Sequence, residues 1–339
     1  MWRRIVIAGL IVLLLAGLAF LVLRKDEPTY QNRRISLILD DWAAGKPGVP
    51  VNEALAAIGT NALPYAVRTL ARNDSNWRQK YRDTWPKLPK FLKSILRQPK
   101  PNSPVGGGGR VFSAIGPSAV PLAIELLQHS SPSVREAAAY GIQTLRLHTT
   151  AASAAIPALS QALQDPEPKV RASAMWALAT MGPDASNAVP TLTKVLANAG
   201  AGPQTGGFFY QRGNAAFVLG KIGPAAGQAV PTLKSALQVP NPYLRGQAAV
   251  ALWHIDGDAE TALSTLLQLM PFTHESDKRD WLIALSEMGP RAVSALPQLE
   301  RELSQDEYPE ILVQVTNALL SIDTVAAGKF GVFPIAPRK

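Results

Sequence analysis

The chain of 339 residues has no cysteine. That absence excludes disulfides, thiolate zinc sites and cysteine nucleophiles, although it suits any redox compartment. Charged residues make up only 17%, which excludes a disordered polyelectrolyte. Aromatic residues are also few, at 7%, and the remaining composition is rich in Ala and Leu, which favours helices. Only four histidines occur, His129, His148, His254 and His274, and none forms an H-E-x-x-H pair. No G-x-S-x-G occurs, and no paired carboxylates stand apart from an acidic C-terminal stretch. The residues therefore present no catalytic, cofactor-binding or metal-binding constellation, and the expectation is a protein that is not an enzyme.

What charge there is, is unevenly placed. Residues 1–110 hold 18 Lys+Arg and 7 Asp+Glu, a net of +11, whereas residues 111–339 hold 16 and 18, a net of −2. An electrostatic partner is thus to be sought in the N-terminal third. That third opens with a run from Ile5 to Leu23 that contains no polar side chain. Nineteen residues at about 1.5 Å each span about 28 Å, close to a bilayer core. Arg3 and Arg4 precede the run, Arg24 and Lys25 follow it, and Trp2 suits an interface. The expectation is one uncleaved transmembrane anchor, residues 1–25, in a bacterial inner membrane. The alternative is a signal peptide cut near Gly17-Leu18-Ala19. Basic residues flank both ends, so orientation stays open; the reading adopted exports the remainder of the chain to the periplasmic side, and the alternative keeps it cytoplasmic.

The rest of the chain repeats itself. A Pro that follows an Ala-Val or similar pair stands at 121, 157, 190, 231 and 297, with Ser264 in the slot between the last two, and the spacings are 36, 33, 41, 33 and 33. A basic residue recurs at Arg135, Arg171, Arg212, Arg245 and Lys278. Eleven residues beyond the last four of these stand Gly182, Gly223, Asp256 and Gly289. Pro in a first helical turn loses no useful N–H and presets φ. The spacing predicts a short helix from each Pro, as in Val189–Asn198. A polar turn such as Asp165-Pro166 comes next, and then a second helix that starts near the basic residue and ends at Gly. Ala172, Ala174 and Ala177 are expected to let helices approach, and Met175, Trp176 and Leu178 to fill the seam. Neither helix can bury its apolar face alone, and stacked pairs can.

These "AVPTL" openings, "VR…A…AL…G" second helices and Gly-Pro ends resemble the HEAT-repeat family, in particular the bacterial HEAT-like repeats of the phycobilin-lyase type. The resemblance covers about residues 110–323, with a degenerate unit upstream at Glu53–Asp74. It implies an all-α, right-handed superhelix of about six or seven units behind the transmembrane helix. The expected domains are the anchor, a degenerate basic region at 26–110, HEAT-like repeats at 111–323 and a tail at 324–339 without helical pattern, which either folds back on the last unit or is disordered. The last unit, with Glu300, Glu302, Asp306, Glu307 and Glu310, suits a polar cap. The family spans scaffolds, transport factors, lyase subunits and structural proteins. A membrane-anchored scaffold for protein–protein interaction is adopted, with a lyase- or hydroxylase-like enzyme as the alternative. The His274-Glu275 dipeptide is similar to the His-Glu pairs of HEAT-type iron hydroxylases, but that likeness needs several pairs and this chain has one.

Two insertions depart from the period. The first, within the 57 residues between Pro64 and Pro121, carries nine Lys/Arg and two Asp from Arg72 to Lys100. Trp77, Tyr81, Trp85 and Phe91 interleave with them, and Lys93 and Arg97 share a helix face. Its readings are a degenerate repeat helix, a contact with anionic headgroups or with an acidic protein, and, least favoured, nucleic acid. "VGGGGR" (105–110) lacks the Lys-Ser/Thr of a phosphate loop and reads as a flexible connector. The second insertion, Asn198–Arg212, sets Phe208, Phe209 and Tyr210 among glycines, either as contact aromatics on a mobile loop or as the start of the next helix. Candidate partner contacts are therefore Trp77, Tyr81, Trp85, Lys93, Arg97, Phe208, Phe209 and Tyr210. The basic ladder Arg135–Lys278 is expected, from the family resemblance, to bond turn carbonyls or an Asp of a neighbouring unit.

Overall fold

Each second helix ends where sequence chemistry requires. At Gly182 and Gly289 the backbone turns to φ +56° and +57°, a region that L side chains rarely adopt. A 3-10 segment then runs from Gly182 to Ala188 or from Gly289 to Ala295 and delivers the chain to a Pro in the first turn of the next helix. The protein is described by a computed structural model. It describes residues 27–72, 80, 84–96, 105–146, 150–198, 206–272, 275–305 and 308–332.

The chain forms two compact units, Met1–Ala119 and Val120–Lys339. In the first, a two-residue turn with positive φ at Gln31 and Asn32 joins β1 (Thr29–Tyr30) to β2 (Arg33–Arg34) in antiparallel pairing. The helices are α1 (Ile35–Ala43), α2 (Val51–Ile58), α3 (Leu63–Ala71), α4 (Lys90–Ile95) and α5 (Val105–Ile115). Ile35, Ile38, Leu55, Leu63 and Phe112 form its core. The expected connector at 105–110 is instead the first half of α5. Each interior Gly costs about 1 kcal/mol against Ala, and burial of Val111 and Phe112 at the other end of the helix offsets part of that.

The second unit is a stack of helix pairs. First helices are α6 (Val120–Leu126), α8 (Ile156–Ala162), α10 (Val189–Ala197), α12 (Val230–Ala236), α14 (Ala259–Leu269) and α16 (Leu296–Gln305). Their second helices are α7 (Pro132–Arg146), α9 (Pro168–Met181), α11 (Gly206–Ile222), α13 (Pro242–Asp256), α15 (Glu275–Met288) and α17 (Pro309–Ile322). Second helices pack on one another in order, α7 through α17. Small residues set the approach: a Cβ on Gly246 would stand 2.0 Å from the Trp281 ring, the largest fully buried side chain. Of the two readings of the tail, residues 324–332 follow the fold-back, although they carry a helix that the sequence pattern does not mark. Thr324–Lys329 is a helix, α18, capped by the Asp323 carboxylate, and it folds back to bury Ala327 and Val332 against the last pair.

The transmembrane part of the expected fold does not stand. Among the described residues no helix is long and apolar enough to cross a membrane. The longest of them, α11 with 17 residues, carries Arg212, Asn214 and Lys221. The run Ile5–Leu23, on which the expectation rests, lies outside the described residues. The fold class is corrected to what the described residues show, an all-α solenoid with no membrane-spanning helix among them, and the assignment to a bacterial inner membrane as a single-pass protein is withdrawn.

Candidate functional site: the exposed face of the second helices

The basic ladder is structural. Arg135 Nε and Nη2 donate to the two carboxylate oxygens of Asp165, at 2.6 and 2.8 Å, across to the next repeat. Its Nη1 donates to the carbonyls of His129 and Ser130. Arg171 donates to the carbonyls of Asp165 and Pro166, and Arg212 to that of Leu196. Arg245 reaches Gln268 and Lys278 reaches Glu302, each in the following pair. Glu302 is consequently buried, not part of a solvated cap.

Several of the sequence-derived contacts fall elsewhere. Trp77, Tyr81 and Arg97 lie outside the described residues, as do His148 and His274. Trp85 opens a 3-10 turn, Trp85–Lys87, and is half-buried. Lys93, in α4, donates to the Pro86 carbonyl at 2.9 Å and so closes that turn. Phe208, Phe209 and Tyr210 are helical, in the first turns of α11. Tyr210 is 54% exposed, and its ring lies 5.0 Å from that of Tyr243.

Counting from the basic anchor of each repeat brings further residues together. Two before the anchor stand Tyr210 and Tyr243. Two after it stand Ser173, Asn214, Gln247 and Asp280. Five after it stand Trp176, Phe217, Val250 and Ile283, and nine after it Thr180, Lys221, His254 and Glu287. At about 100° per residue these registers fall on one face of the second helices. The face is bound laterally. The Tyr243 hydroxyl donates to Asn214 Oδ1 at 2.7 Å, Gln247 Nε2 donates to Asp280 at 3.4 Å, and His254 Nε2 meets Glu287 at 2.7 Å. The rings of Trp176 and Phe217 are 5.4 Å apart, and Lys221 Nζ lies over Phe217. Trp176, expected in the seam, is 45% exposed, while Met175 and Leu178 on either side are buried.

The electrostatics of the face change along the stack. Its N-terminal part carries Lys169 and Lys221; its C-terminal part carries Asp280 and Glu287. Burial pushes the Tyr243 phenol well above the ordinary tyrosine value, and the nearby charges of Asp277 and Asp280 push it further. Among the described residues no group of three or more His, Cys, Asp or Glu side chains is placed to hold a metal ion.

Helix pairs stacked in sequence order, closed by a repeated Gly and clamped by a repeated cation, define an α-solenoid. A profile described as HEAT repeats matches residues 120–202 and 206–286, so the stack carries HEAT repeats over those residues. No curated protein matches it. Among solved structures it is similar to Kap121p, at 12% identity and a TM-score of 0.51, over 88% of this chain and 34% of that one. It is also similar to an engineered protein, at 18% identity and a TM-score of 0.42, over 85% and 78% of the two chains. The complex of CpcE and CpcF of phycocyanin lyase from Nostoc sp. PCC7120 matches at 17% identity and a TM-score of 0.42, over 88% and 97%. At such identities the likeness concerns the fold alone.

Proposed function

We propose that this chain is a non-catalytic scaffold that binds a protein partner along the exposed face of its second helices. The observation that carries the reading is Trp176. A large aromatic side chain left half-exposed in a helix whose neighbours in sequence are buried is a candidate binding anchor. Phe217 and Tyr210 extend the patch onto the next helix, with Lys221 set over the Phe217 ring. Rigid stacked helices suit this role, because the rows of side chains they present need no ordering when a partner arrives. Tyr210 is the proposed contact shared with the sequence reading.

A photocrosslinking amino acid tests this directly. Placed at position 176 or 217 of the full chain, it is expected to yield discrete protein adducts in cells of the source organism. Placed at position 194, exposed on the first helix α10, it is expected to yield none. Trp176→Ala with Phe217→Ala is expected to weaken recovery of the same partner about tenfold or more. Adducts from position 194 alone, or from no position, sink the scaffold reading.

A further inference from the structure

The two ends of the face differ in how far their charges are already met. At the C-terminal end the acids are taken. Glu287 meets His254 at 2.7 Å, and Asp280 accepts from Gln247. The N-terminal end is the reverse. Helices α9 and α11 contain no Asp or Glu, and together they carry Lys169, Arg171, Arg212 and Lys221. The two arginines are spent on turn carbonyls. Lys169 and Lys221 are exposed, and neither pairs with a carboxylate among the described residues. Lys221 lies against the aromatic patch. Its Nζ is 5.2 Å from the centroid of the Phe217 ring, which is itself 5.4 Å from that of Trp176.

Resting on the scaffold reading, we propose that Trp176, Phe217 and Lys221 take a segment of the partner that joins an acidic residue to an apolar one. The apolar side chain covers the two rings, and an Asp or Glu carboxylate beside it bonds the Lys221 ammonium. That ammonium has three N–H donors and no acceptor, so an anion is the group it lacks. The Phe217 ring attracts it but supplies no charge to neutralise it. A carboxylate laid next to the rings bonds it where apolar side chains exclude water, which strengthens a charge-assisted bond. At about 3.3 Å per residue in an extended chain, these separations place the acid about one to three positions from the apolar residue. A nucleic acid strand also supplies anions and flat groups. It is the less suitable occupant, because a phosphate backbone continued along the face meets Asp280 and Glu287, whereas the acid of a peptide is local.

A random peptide display library selected on the immobilised full-length chain tests the assignment. Enriched peptides are expected to carry Asp or Glu at that spacing from an apolar residue. Lys221→Met keeps the apolar stem, removes the charge and is expected to weaken such a peptide about fivefold. Trp176→Ala is expected to weaken it about tenfold. Lys221→Glu is expected to weaken it more than Lys221→Met does, and to bind instead the peptide whose acid is replaced by lysine. Lys194→Met, on α10, is expected to change nothing, and thermal melts show whether each variant stays folded. Enrichment of apolar or basic peptides whose affinity ignores Lys221→Met but falls with Trp176→Ala overturns the acidic assignment and leaves the scaffold standing. A single-stranded oligonucleotide that binds the parent chain and is lost with Trp176→Ala overturns it in favour of nucleic acid. If the library enriches nothing, the partner crosslinked at position 176 decides: adducts lost in Lys221→Glu support the assignment, and adducts unchanged by it overturn it. No peptide and no adduct overturn both readings.

Discussion

Both units of the molecule use an Arg–Asp pair, and the two pairs are not equivalent. In the repeat stack, Arg135 grips Asp165 with two bonds while its side chain and that of Asp165 are only 12% and 8% exposed. The Asp165 carboxylate also accepts the Glu167 N–H. In the N-terminal unit Arg72 makes one bond of 2.7 Å to Asp40, with the side chains 52% and 45% exposed. The N-terminal unit retains the punctuation of a repeat, with Gly59 at positive φ, a 3-10 segment Gly59–Ala62 and Pro64 in the next first turn. What it lacks in this comparison is the dry environment around the ion pair. The same two residue types tie consecutive repeats together in one unit and decorate a surface in the other, because desolvation and bond saturation, not identity, set what an ion pair contributes.

Breaking the buried pair is the most damaging test of that contrast. Arg135→Ala leaves Asp165 buried without its counterion and is expected to cost about 3 kcal/mol or more, read as a loss of midpoint in urea denaturation. The pair also carries a pH signature. Burial alone raises the Asp165 pKa, but the bonds from Arg135 and from the Glu167 N–H outweigh it, with the charge of Arg171 adding to them, so the carboxyl sits below its ordinary value. A carboxyl lowered on folding contributes stability that is fully present above the unfolded value of about 3.9 and is lost as pH falls through the folded value. Melting temperature measured from about pH 5 downward is expected to fall more steeply in the parent chain than in Arg135→Ala, where the bonds and charge of Arg135 no longer lower the carboxyl. Parallel curves would show that Asp165 is not lowered by this partner.

Packing within the second-helix layer comes next. A Cβ on Gly246 would meet three atoms of the Trp281 indole between 2.0 and 2.6 Å. Gly246→Ala is expected to cost about 2 kcal/mol, since the indole, fully buried, has nowhere to move without shifting a helix. Gly227→Ala, where nothing lies within 4 Å, is the control and is expected to be close to neutral. Equal melting temperatures for the two variants would mean that the α13–α15 contact is slack.

The regularity that makes these predictions possible is legible in the sequence; the working face is not. Proline, glycine and the basic anchor act through local backbone chemistry, so their spacing marks both helices of a repeat and their ends. The ladder residues Arg135 and Arg171 do what the family resemblance implies. Exposure, however, depends on neighbours. A second helix such as α9 touches the second helices on either side and its own first helix. It is therefore apolar nearly all round, from Val170 through Leu178, and periodicity within it does not mark the free side. Trp176 accordingly reads as core. Only by laying the repeats over one another do Trp176 and Phe217 fall into one register and Tyr210 and Tyr243 into another. The Gly-rich start of α5 and the helix at Thr324–Lys329 escape a sequence reading for the complementary reason, that tertiary packing of Phe112 and Ala327 overrides weak local propensity.

The smallest effect is expected at the exposed counterpart of the Arg135 clamp. Arg72→Ala removes one charge-assisted bond to Asp40, but both side chains remain hydrated, and Asp40 exchanges the guanidinium for water. The expected cost is about 0.5 kcal/mol or less. It should shrink further when salt is raised from about 0.1 M to about 1 M, because ions within a few ångströms screen an exposed pair. The same salt change should leave the cost of Arg135→Ala nearly intact, since the carboxylate stranded there is shielded by protein instead of solvent. A double comparison, two variants at two salt concentrations, thus separates burial from residue identity. If Arg72→Ala proves as costly as Arg135→Ala and as indifferent to salt, the N-terminal unit is clamped as tightly as the repeat stack, and the contrast between them fails.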